Sequence, residues 1–254
     1  MNKLFVESFF LFPPHQRTHE LPPWASEVPS IVAAQRRPLT FSSPATFITG
    51  ENGMGKSTLI EAIAVACGFD IEGGPYGLRS KGTSPFDKGR GESPFHGTAS
   101  VTRGPRSFEG YYLRAESHIN VPENLIDYAP ELQAYTTMSH GESVMAMIER
   151  YFHKDGLYIL DEPESGLSTL RQMALMAELH ALVQHGAQII VATHSPILLS
   201  LPGAAIWEII EAGLTPTALR ETTAFRAMRD FFESPHEIAE FMAESMQNES
   251  TARG

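Results

Sequence analysis

The residues with the clearest chemistry lie between positions 50 and 58 and read G-E-N-G-M-G-K-S-T. Their spacing matches the phosphate-loop pattern, in which glycines let main-chain N–H groups point toward phosphate oxygens. A lysine in this pattern brings positive charge to the β- and γ-phosphates, and the serine hydroxyl after it can ligate Mg²⁺. We therefore predict a nucleotide phosphate site at Gly50, Glu51, Asn52, Gly53, Met54, Gly55, Lys56, Ser57 and Thr58.

The sequence around this loop predicts the elements that must position it. A β-prone run at residues 45–49 precedes the loop, and residues 57–67 form an apolar helical stretch after it, with its positive dipole end at the phosphates. Farther along, short apolar runs at 156–160 and 188–193 predict buried strands, and a helix at about 169–185 separates them. This alternation predicts an α/β fold with a mostly parallel sheet flanked by helices.

Polar residues follow two of the predicted strands. Asp161 and Glu162 come directly after the first, and His194 comes directly after the second. Because ligands bind at the carboxyl ends of the strands in open α/β sheets, these side chains should face the same site. An aspartate in this place can hold Mg²⁺, and the next acid can polarise an attacking water. Alternatively, the two acids belong to a turn without a catalytic role.

Two further patches could contribute to the same site. Ser139 to Glu142 reads S-H-G-E and lies 22 residues before Asp161 (161 − 139), where it also has the form of a helix capping box. Glu116 follows a predicted strand at 111–114.

Length and composition limit the class of protein. The 254 residues suffice for one large α/β domain or two small ones. A net charge of −11 argues against a generally basic, nucleic-acid-coating surface, and the single cysteine excludes a disulfide framework. No run approaches the roughly 18 apolar residues of a membrane-spanning helix, and the N-terminal apolar run is too short for a signal peptide. We expect a cytoplasmic protein that does not insert into a membrane.

Three parts of the chain leave alternatives open. Segment 72–110 carries six basic and four acidic residues, so it could contact a polyanion or a neighbouring subunit's triphosphate, or be a solvated loop. Trp24 could stack on an adenine base or cover the edge of the core. Near the C-terminus, an apolar stripe could pack on the domain or bind a partner; it consists of Ile238, Phe241, Met242 and Met246.

The order of these motifs, which extend from about residue 45 to 200, resembles the ATPase domains of the ABC superfamily. Residues 160–168, L-D-E-P-E-S-G-L-S, are similar to the family run L-D-E-P-T-S-A-L-D. More narrowly, R-A-E-S, S-H-G-E-S, L-D-E-P-E and A-T-H-S-P-I-L-L resemble a group of small bacterial predicted ATPases. These stand nearer to the DNA-repair and chromosome-structure ATPases than to the transporters.

The resemblance implies roles for individual residues. Lys56 and Ser57 would bind phosphate and Mg²⁺, and Asp161 would be the second Mg²⁺ anchor. Glu162 would be the general base, and His194 would contact the γ-phosphate of ATP. The remaining roles require a head-to-tail homodimer with two ATPs between the chains, in which Ser139 and Gly141 reach the nucleotide of the opposite subunit.

The resemblance also implies an architecture, a P-loop NTPase of ABC type with an antiparallel N-terminal portion and a small signature-bearing lobe. We expect one domain over residues 1–246. Its predicted parts are a core at 1–71 and 156–225, a lobe at 72–155, a C-terminal helix at 235–246 and a disordered tail at 247–254.

The sequence departs from the family pattern in three places. His140 and Glu142 replace the usual glycine and glutamine of the signature, and Ser168 replaces an aspartate. The Mg²⁺-contacting glutamine is missing, and Glu116 stands near its place as a candidate metal ligand. We expect Mg²⁺-dependent ATP hydrolysis that drives a dimerisation switch. The alternatives are a transporter's ATPase subunit, a small-molecule kinase, and an ATP-binding switch with negligible turnover that recruits a second protein.

Overall fold

The fold comprises two β-sheets and the helices that cover them. The computed structural model describes residues 3–77, 93–114, 140–152 and 155–252. In these ranges the strands are β1 (Val6–Leu11), β2 (Leu39–Thr40), β3 (Ala45–Gly50), β4 (Gly74–Pro75), β5 (Ala99–Arg103), β6 (Gly110–Leu113), β7 (Leu157–Asp161), β8 (Gln188–Ala192), β9 (Ala205–Ile210) and β10 (Gly213–Pro216). The α-helices are α1 (Pro23–Glu27), α2 (Pro29–Arg36), α3 (Lys56–Cys67), α4 (His140–Tyr151), α5 (Thr169–Gln184), α6 (Pro196–Leu199), α7 (Thr223–Glu233) and α8 (Pro235–Ala252).

The larger sheet has seven strands in the order β10-β9-β3-β8-β7-β6-β4. Strands β9, β3, β8, β7 and β6 run parallel to one another, and the two edge strands are antiparallel. Every residue of β3, β7 and β8 is buried, because helices or the second sheet cover both faces. The predicted α/β class with a mostly parallel, helix-flanked sheet is therefore confirmed.

Alternating side chains of the parallel strands enter two separate cores. Ile48 and Ile190 pack on one face with helix α3 and the second sheet. Phe47 and Val191 point to the other face, where helices α4 and α5 cover them. The period-2 alternation of a strand thus lets an entirely apolar sequence serve both faces of the sheet.

The second sheet is antiparallel and has the order β2-β1-β5, as predicted for the N-terminal portion. A buried glutamine at the start of β8 joins the two sheets. Gln188 Oε1 accepts hydrogen bonds from the main-chain N–H groups of Phe5 (2.8 Å) and Val6 (2.9 Å), and Gln188 Nε2 donates to the carbonyl of Val6 (2.9 Å). The side chain therefore pairs with the start of β1 as a strand main chain would.

The structure corrects the predicted boundary of the lobe. Strand β5 lies in the antiparallel sheet, and β4 and β6 lie in the parallel sheet, although all three fall within segment 72–155. The sequence predicts β6 at 111–114, but the frequent glycines and prolines around β4 and β5 give no lasting strand pattern. Residues 74–75 and 99–113 thus belong to the sheets of the core.

The structure corrects two other local interpretations of the sequence. The sequence predicts a strand at 205–210 that could pair with residues 217–221, but β10 forms this pair after a two-residue turn, and the Thr217 N–H continues it with a bond to the carbonyl of Ile206 (3.0 Å). The prolines at 13, 14, 22, 23 and 29 indicate a loop after the first strand, whereas Pro23 and Pro29 each occupy the first turn of a helix. That position suits proline, because the first N–H groups of a helix have no partner within it.

The C-terminal helix α8 reaches Ala252, so the predicted tail from residue 247 is wrong. Residues 247–251 contain neither glycine nor proline, and nothing in them ends a helix. Of the apolar stripe, Phe241 is 67% and Met242 56% exposed, whereas Ile238 is partly buried. Across the described ranges, no helix combines the length and the apolarity needed to cross a bilayer.

The Gln188 contact generates a stability prediction. Replacing Gln188 by Leu leaves two buried N–H groups and one buried carbonyl without partners, and each such group costs about 1–3 kcal/mol. We expect the free energy of unfolding to fall by roughly 3 kcal/mol or more, measured by denaturant titration. Gln184→Leu, at an exposed position of α5, is the control. Equal unfolding midpoints for the two variants would contradict the role of Gln188.

Candidate functional site

The predicted phosphate loop lies between strand β3 and helix α3. The strand ends at Gly50, and the helix begins at Lys56 after a left-handed residue, Gly55, with φ +83°. A β-carbon on Gly55 would lie 2.0 Å from Val28 Cγ1, so glycine is required there both for its conformation and for space. The loop is therefore shaped as the sequence predicts.

The first turn of α2 supports this loop, which the sequence did not reveal. The N–H of Ser30 donates to the carbonyl of Met54 (3.1 Å), and the Ser30 hydroxyl donates to the carbonyl of Gly55 (2.6 Å). Ser30 is completely buried. A lone serine after a proline carries no recognisable motif, and only the structure identifies its contacts with the loop.

Lys56 is buried beneath the loop, and its ammonium group donates to two main-chain carbonyls. The distances from Nζ to the oxygens of Gly50 and Glu51 are both 3.1 Å. Burial lowers the pKa of Lys56, while the nearby acids Glu162, Asp161 and Glu164 oppose that lowering. An ammonium has three N–H donors, so one remains for a ligand after these two bonds.

Asp161 ends β7 next to the loop and is buried. Burial raises the pKa of its carboxyl to about 7, and a hydrogen bond from the Ser57 hydroxyl acts in the opposite direction. Its Oδ1 atom is buried and has no hydrogen-bond partner among the described residues. A carboxylate oxygen in this state, beside an exposed serine hydroxyl, fits a hard divalent cation such as Mg²⁺, whose usual ligands are oxygens.

Glu162 and His194 face each other across the ends of β7 and β8. His194 Nε2 lies 3.3 Å from Glu162 Oε1. Burial and the positive charge of Lys56 lower the pKa of His194, and Glu162 partly opposes this shift. The main chain of Glu162 is left-handed, with φ +45°, a conformation that costs a non-glycine residue about 1 kcal/mol. Strain of this kind is common at functional sites.

The structure brings the predicted residues of the three strand ends together. A cavity of about 260 Å³ is lined by Val28, Asn52, Gly53, Gly55, Lys56, Ser57, Thr58 and Glu162. Asp161 contacts this site through Ser57, and His194 contacts it through Glu162.

Other predicted site residues lie elsewhere or outside the described ranges. Ser139 and Glu116 lie outside them. Gly141 is in the first turn of α4, which begins at His140 as the capping box predicted. Trp24 lies on α1 and is 55% exposed.

The structure gives two of the basic residues of segment 72–110 roles within the fold. Arg106 donates to the carbonyl of Gly186 (2.6 Å) and pairs with Asp155 (2.9 Å). Arg103 stacks on the ring of Phe108, with 4.2 Å from its guanidinium carbon to the ring centroid. The other four basic residues of the segment, Arg79, Lys81, Lys88 and Arg90, lie outside the described ranges.

A second buried acid, Glu164, was missed by the sequence analysis. It lies three residues after Asp161 and accepts hydrogen bonds from the turn that carries His194. Its signal was available, because the related family run has threonine in its place and a charged residue is rarely buried without a specific partner.

The raised pKa of Asp161 generates a prediction for the protein free of nucleotide and metal. Since the folded-state pKa of about 7 exceeds the ordinary 3.8, the folded protein binds more protons than the unfolded chain between these values. The contribution of Asp161 to stability is therefore lost as the pH rises from about 4 to 7. Asp161→Asn should raise the thermal midpoint in EDTA more at pH 8 than at pH 5. An equal or larger increase in the thermal midpoint of this variant at pH 5 would contradict this account.

Comparisons with known proteins show what this chain is similar to. A family model described as "AAA domain" matches residues 30–121, and a second, described as "AAA domain, putative AbiEii toxin, Type IV TA system", matches residues 129–200. A solved chain described as an inward-facing conformation of a "putative metal-chelate type ABC transporter" aligns with a TM-score of 0.48 and 17% identity. The alignment covers 90% of this chain and 88% of that one.

One curated relative gives the closer sequence match. The cytochrome c biogenesis ATP-binding export protein CcmA of Bartonella quintana (strain Toulouse) is 31% identical over 158 residues. That alignment covers 59% of this chain and 74% of the relative. With this likeness and the motifs in their expected order, the chain belongs to the ABC superfamily of ATPases.

Proposed function

We propose that this protein binds Mg²⁺–ATP, hydrolyses it to ADP and phosphate, and dimerises around the nucleotide. The observation that carries the proposal is the cavity in which the phosphate loop, Lys56 and Glu162 meet. A phosphate group placed there would meet main-chain N–H groups, the N-terminus of α3 and the third donor of Lys56. These are the features that stabilise a triphosphate.

Ser57 and Asp161 are the residues that would hold the metal. When bound, the cation would neutralise part of the charge of the phosphates. Asp161 offers a buried oxygen without a partner, and the exposed hydroxyl of Ser57 adjoins it. Glu116, which lies outside the described ranges, stays a proposed further ligand.

Glu162 is the proposed general base. Its carboxylate lines the cavity and can accept a proton from a water that attacks the γ-phosphate. His194 is held neutral by its lowered pKa, so its Nε2–H can donate to Glu162 and fix the direction of that carboxylate. The strained main chain of Glu162 serves the same end, because it turns the side chain toward the phosphate loop.

A second copy of the chain is proposed to complete the site through Ser139 and Gly141. Apolar side chains beside the cavity support this part of the proposal. Leu170 and Met173 lie on one face of α5, just after the turn that carries Glu162, and they are 77% and 47% exposed. A partner subunit would cover them when ATP joins the two chains.

The phosphate-loop role predicts the behaviour of a Lys56 variant. Lys56→Ala removes the ammonium donor, and we expect the dissociation constant for ATP to rise roughly tenfold or more. Isothermal titration calorimetry measures this change, with Lys3→Ala, at an exposed position, as the control. An unchanged ATP affinity in the Lys56 variant would remove the phosphate loop from the account.

The general-base role predicts the behaviour of a Glu162 variant. Glu162→Gln keeps the shape of the side chain but removes the proton acceptor, so we expect phosphate release to slow by about 10²–10⁴-fold. The ATP dissociation constant should change little, because the phosphate loop stays intact. Glu178→Gln, at an exposed position of α5, is the control. Turnover by the Glu162 variant at the wild-type rate would exclude Glu162 as the base.

The phosphate-release assay also distinguishes an ATPase from the two alternatives, a kinase and a binding switch. Phosphate transferred to an added acceptor instead of water would indicate a kinase, and ATP binding without turnover in the wild type would indicate a switch.

A second candidate function is the ATPase subunit of an exporter. The observation that favours it is the likeness to an ATP-binding export protein. In that case the isolated chain should have little activity, and a membrane protein should co-purify with it from the native cell. Full turnover by the isolated chain supports the first proposal instead.

A further inference from the structure

The Glu164 side chain joins the turns that follow β7 and β8. Its Oε1 atom accepts a hydrogen bond from the Thr193 hydroxyl at 2.5 Å and from the His194 N–H at 2.8 Å. The Ser195 N–H also donates to it, at 3.2 Å. One carboxylate oxygen therefore fixes three consecutive residues, and the middle one is His194.

The contact of Glu164 with this turn belongs to a larger network. The Thr193 hydroxyl accepts from the Ser195 N–H (2.9 Å), and the Ser195 hydroxyl donates to Gln172 Oε1 (2.7 Å). Gln172 Nε2 donates in turn to the carbonyl of Leu167 (3.0 Å), which lies in the turn after β7. Two routes therefore join the same pair of turns, and the route through Glu164 is the one that reaches His194 directly.

The environment makes the Glu164 contacts strong. The carboxylate is largely buried, and hydrogen bonds to a charged acceptor are about twice as strong as those between neutral groups. Burial raises the pKa of Glu164, and the bonds from Thr193 and His194 oppose that shift. Its Oε2 atom is buried and has no partner among the described residues. Such a carboxylate is costly to bury, and the three hydrogen bonds to Oε1 offset part of that cost.

We propose that Glu164 is the positioning residue of His194. It holds the main chain at His194 so that the imidazole Nε2 stays against Glu162 Oε1 at 3.3 Å. The inference rests on the proposed function, because positioning His194 matters only where Glu162 acts on a water. Glu164 itself does not line the cavity, and it acts through His194.

The test is a double-mutant cycle between Glu164 and His194. Glu164→Ala should lower kcat by roughly tenfold or more and change KM by less than about threefold, because the phosphate loop is untouched. In the His194→Ala background the same change should have little further effect, since the group being positioned is absent. Glu164→Gln keeps an acceptor oxygen and should restore much of kcat.

Glu208→Ala is the matched control. Glu208 is buried and accepts a main-chain hydrogen bond, from the Thr223 N–H at 2.7 Å, but that bond lies at the start of α7, and Glu208 does not line the cavity. This variant should lose stability while keeping kcat per folded molecule. Thr193→Val provides a milder change if Glu164→Ala does not fold, because it removes one donor and keeps the side chain's shape.

A second measurement examines the contact in the protein without nucleotide. Hydrogen exchange of the His194 and Ser195 amides should speed up by roughly tenfold or more in Glu164→Ala and should not change in Glu208→Ala. An unchanged exchange rate would overturn the proposal. An equal loss of kcat in both His194 backgrounds would also overturn it, since Glu164 would then act independently of His194. If the wild type hydrolyses no ATP, the proposed function fails, and the exchange rates still decide whether Glu164 holds this turn.

Discussion

The parallel register of three adjacent strands is the constraint on which the site depends. Ile48 of β3 pairs with Ala192 of β8, and Ala192 pairs with Asp161 of β7. Strands β7 and β8 therefore end at the same level, β3 ends two residues further on at Gly50, and residues that follow β3 and β7 line one cavity. A slip of one residue in any pair would turn every following side chain to the opposite face and would separate the acids from the phosphate loop.

Three hydrogen-bonded contacts hold the parallel strands and the loops at their ends in place. Ser30 holds the phosphate loop from one side, and Glu164 joins the turns after β7 and β8. At the opposite end of β8, Gln188 attaches the antiparallel sheet. All three are buried polar side chains with partners far away in sequence. They restrain the ends of strands whose side chains pack through apolar contacts. Because hydrogen bonds are directional, they can fix the positions of the loops at these ends, which apolar packing does not define.

The sequence predicted the parts of the site whose chemistry is local. The phosphate loop, Asp161, Glu162 and His194 are recognisable because each stands directly after a buried apolar strand, and the strand shows where the residue must lie. The parallel sheet follows from the alternation of strands and helices, whereas the antiparallel N-terminal sheet was expected from the family resemblance. The core strands β3, β7, β8 and β9 were therefore predicted almost to the residue.

The remaining features depend on distant contacts that one sequence does not display. Ser30 and Glu164 bind main-chain groups far along the chain, and no spacing rule identifies such partners. Strand β4 contains only two residues, and β5, A-S-V-T-R, is no continuous apolar run and lies in a segment with frequent glycines and prolines. The prolines that begin α1 and α2 were read as loop residues because the same residue type favours both positions.

The molar mass of Glu162→Gln in solution, with and without Mg²⁺–ATP, tests most directly whether a second copy completes this site. Slow turnover in this variant keeps the nucleotide bound while light scattering measures the mass. We predict a change from monomer to dimer when the nucleotide is added. A mass that stays at one chain while ATP is demonstrably bound would contradict the shared site and return Ser139 to the role of a helix cap.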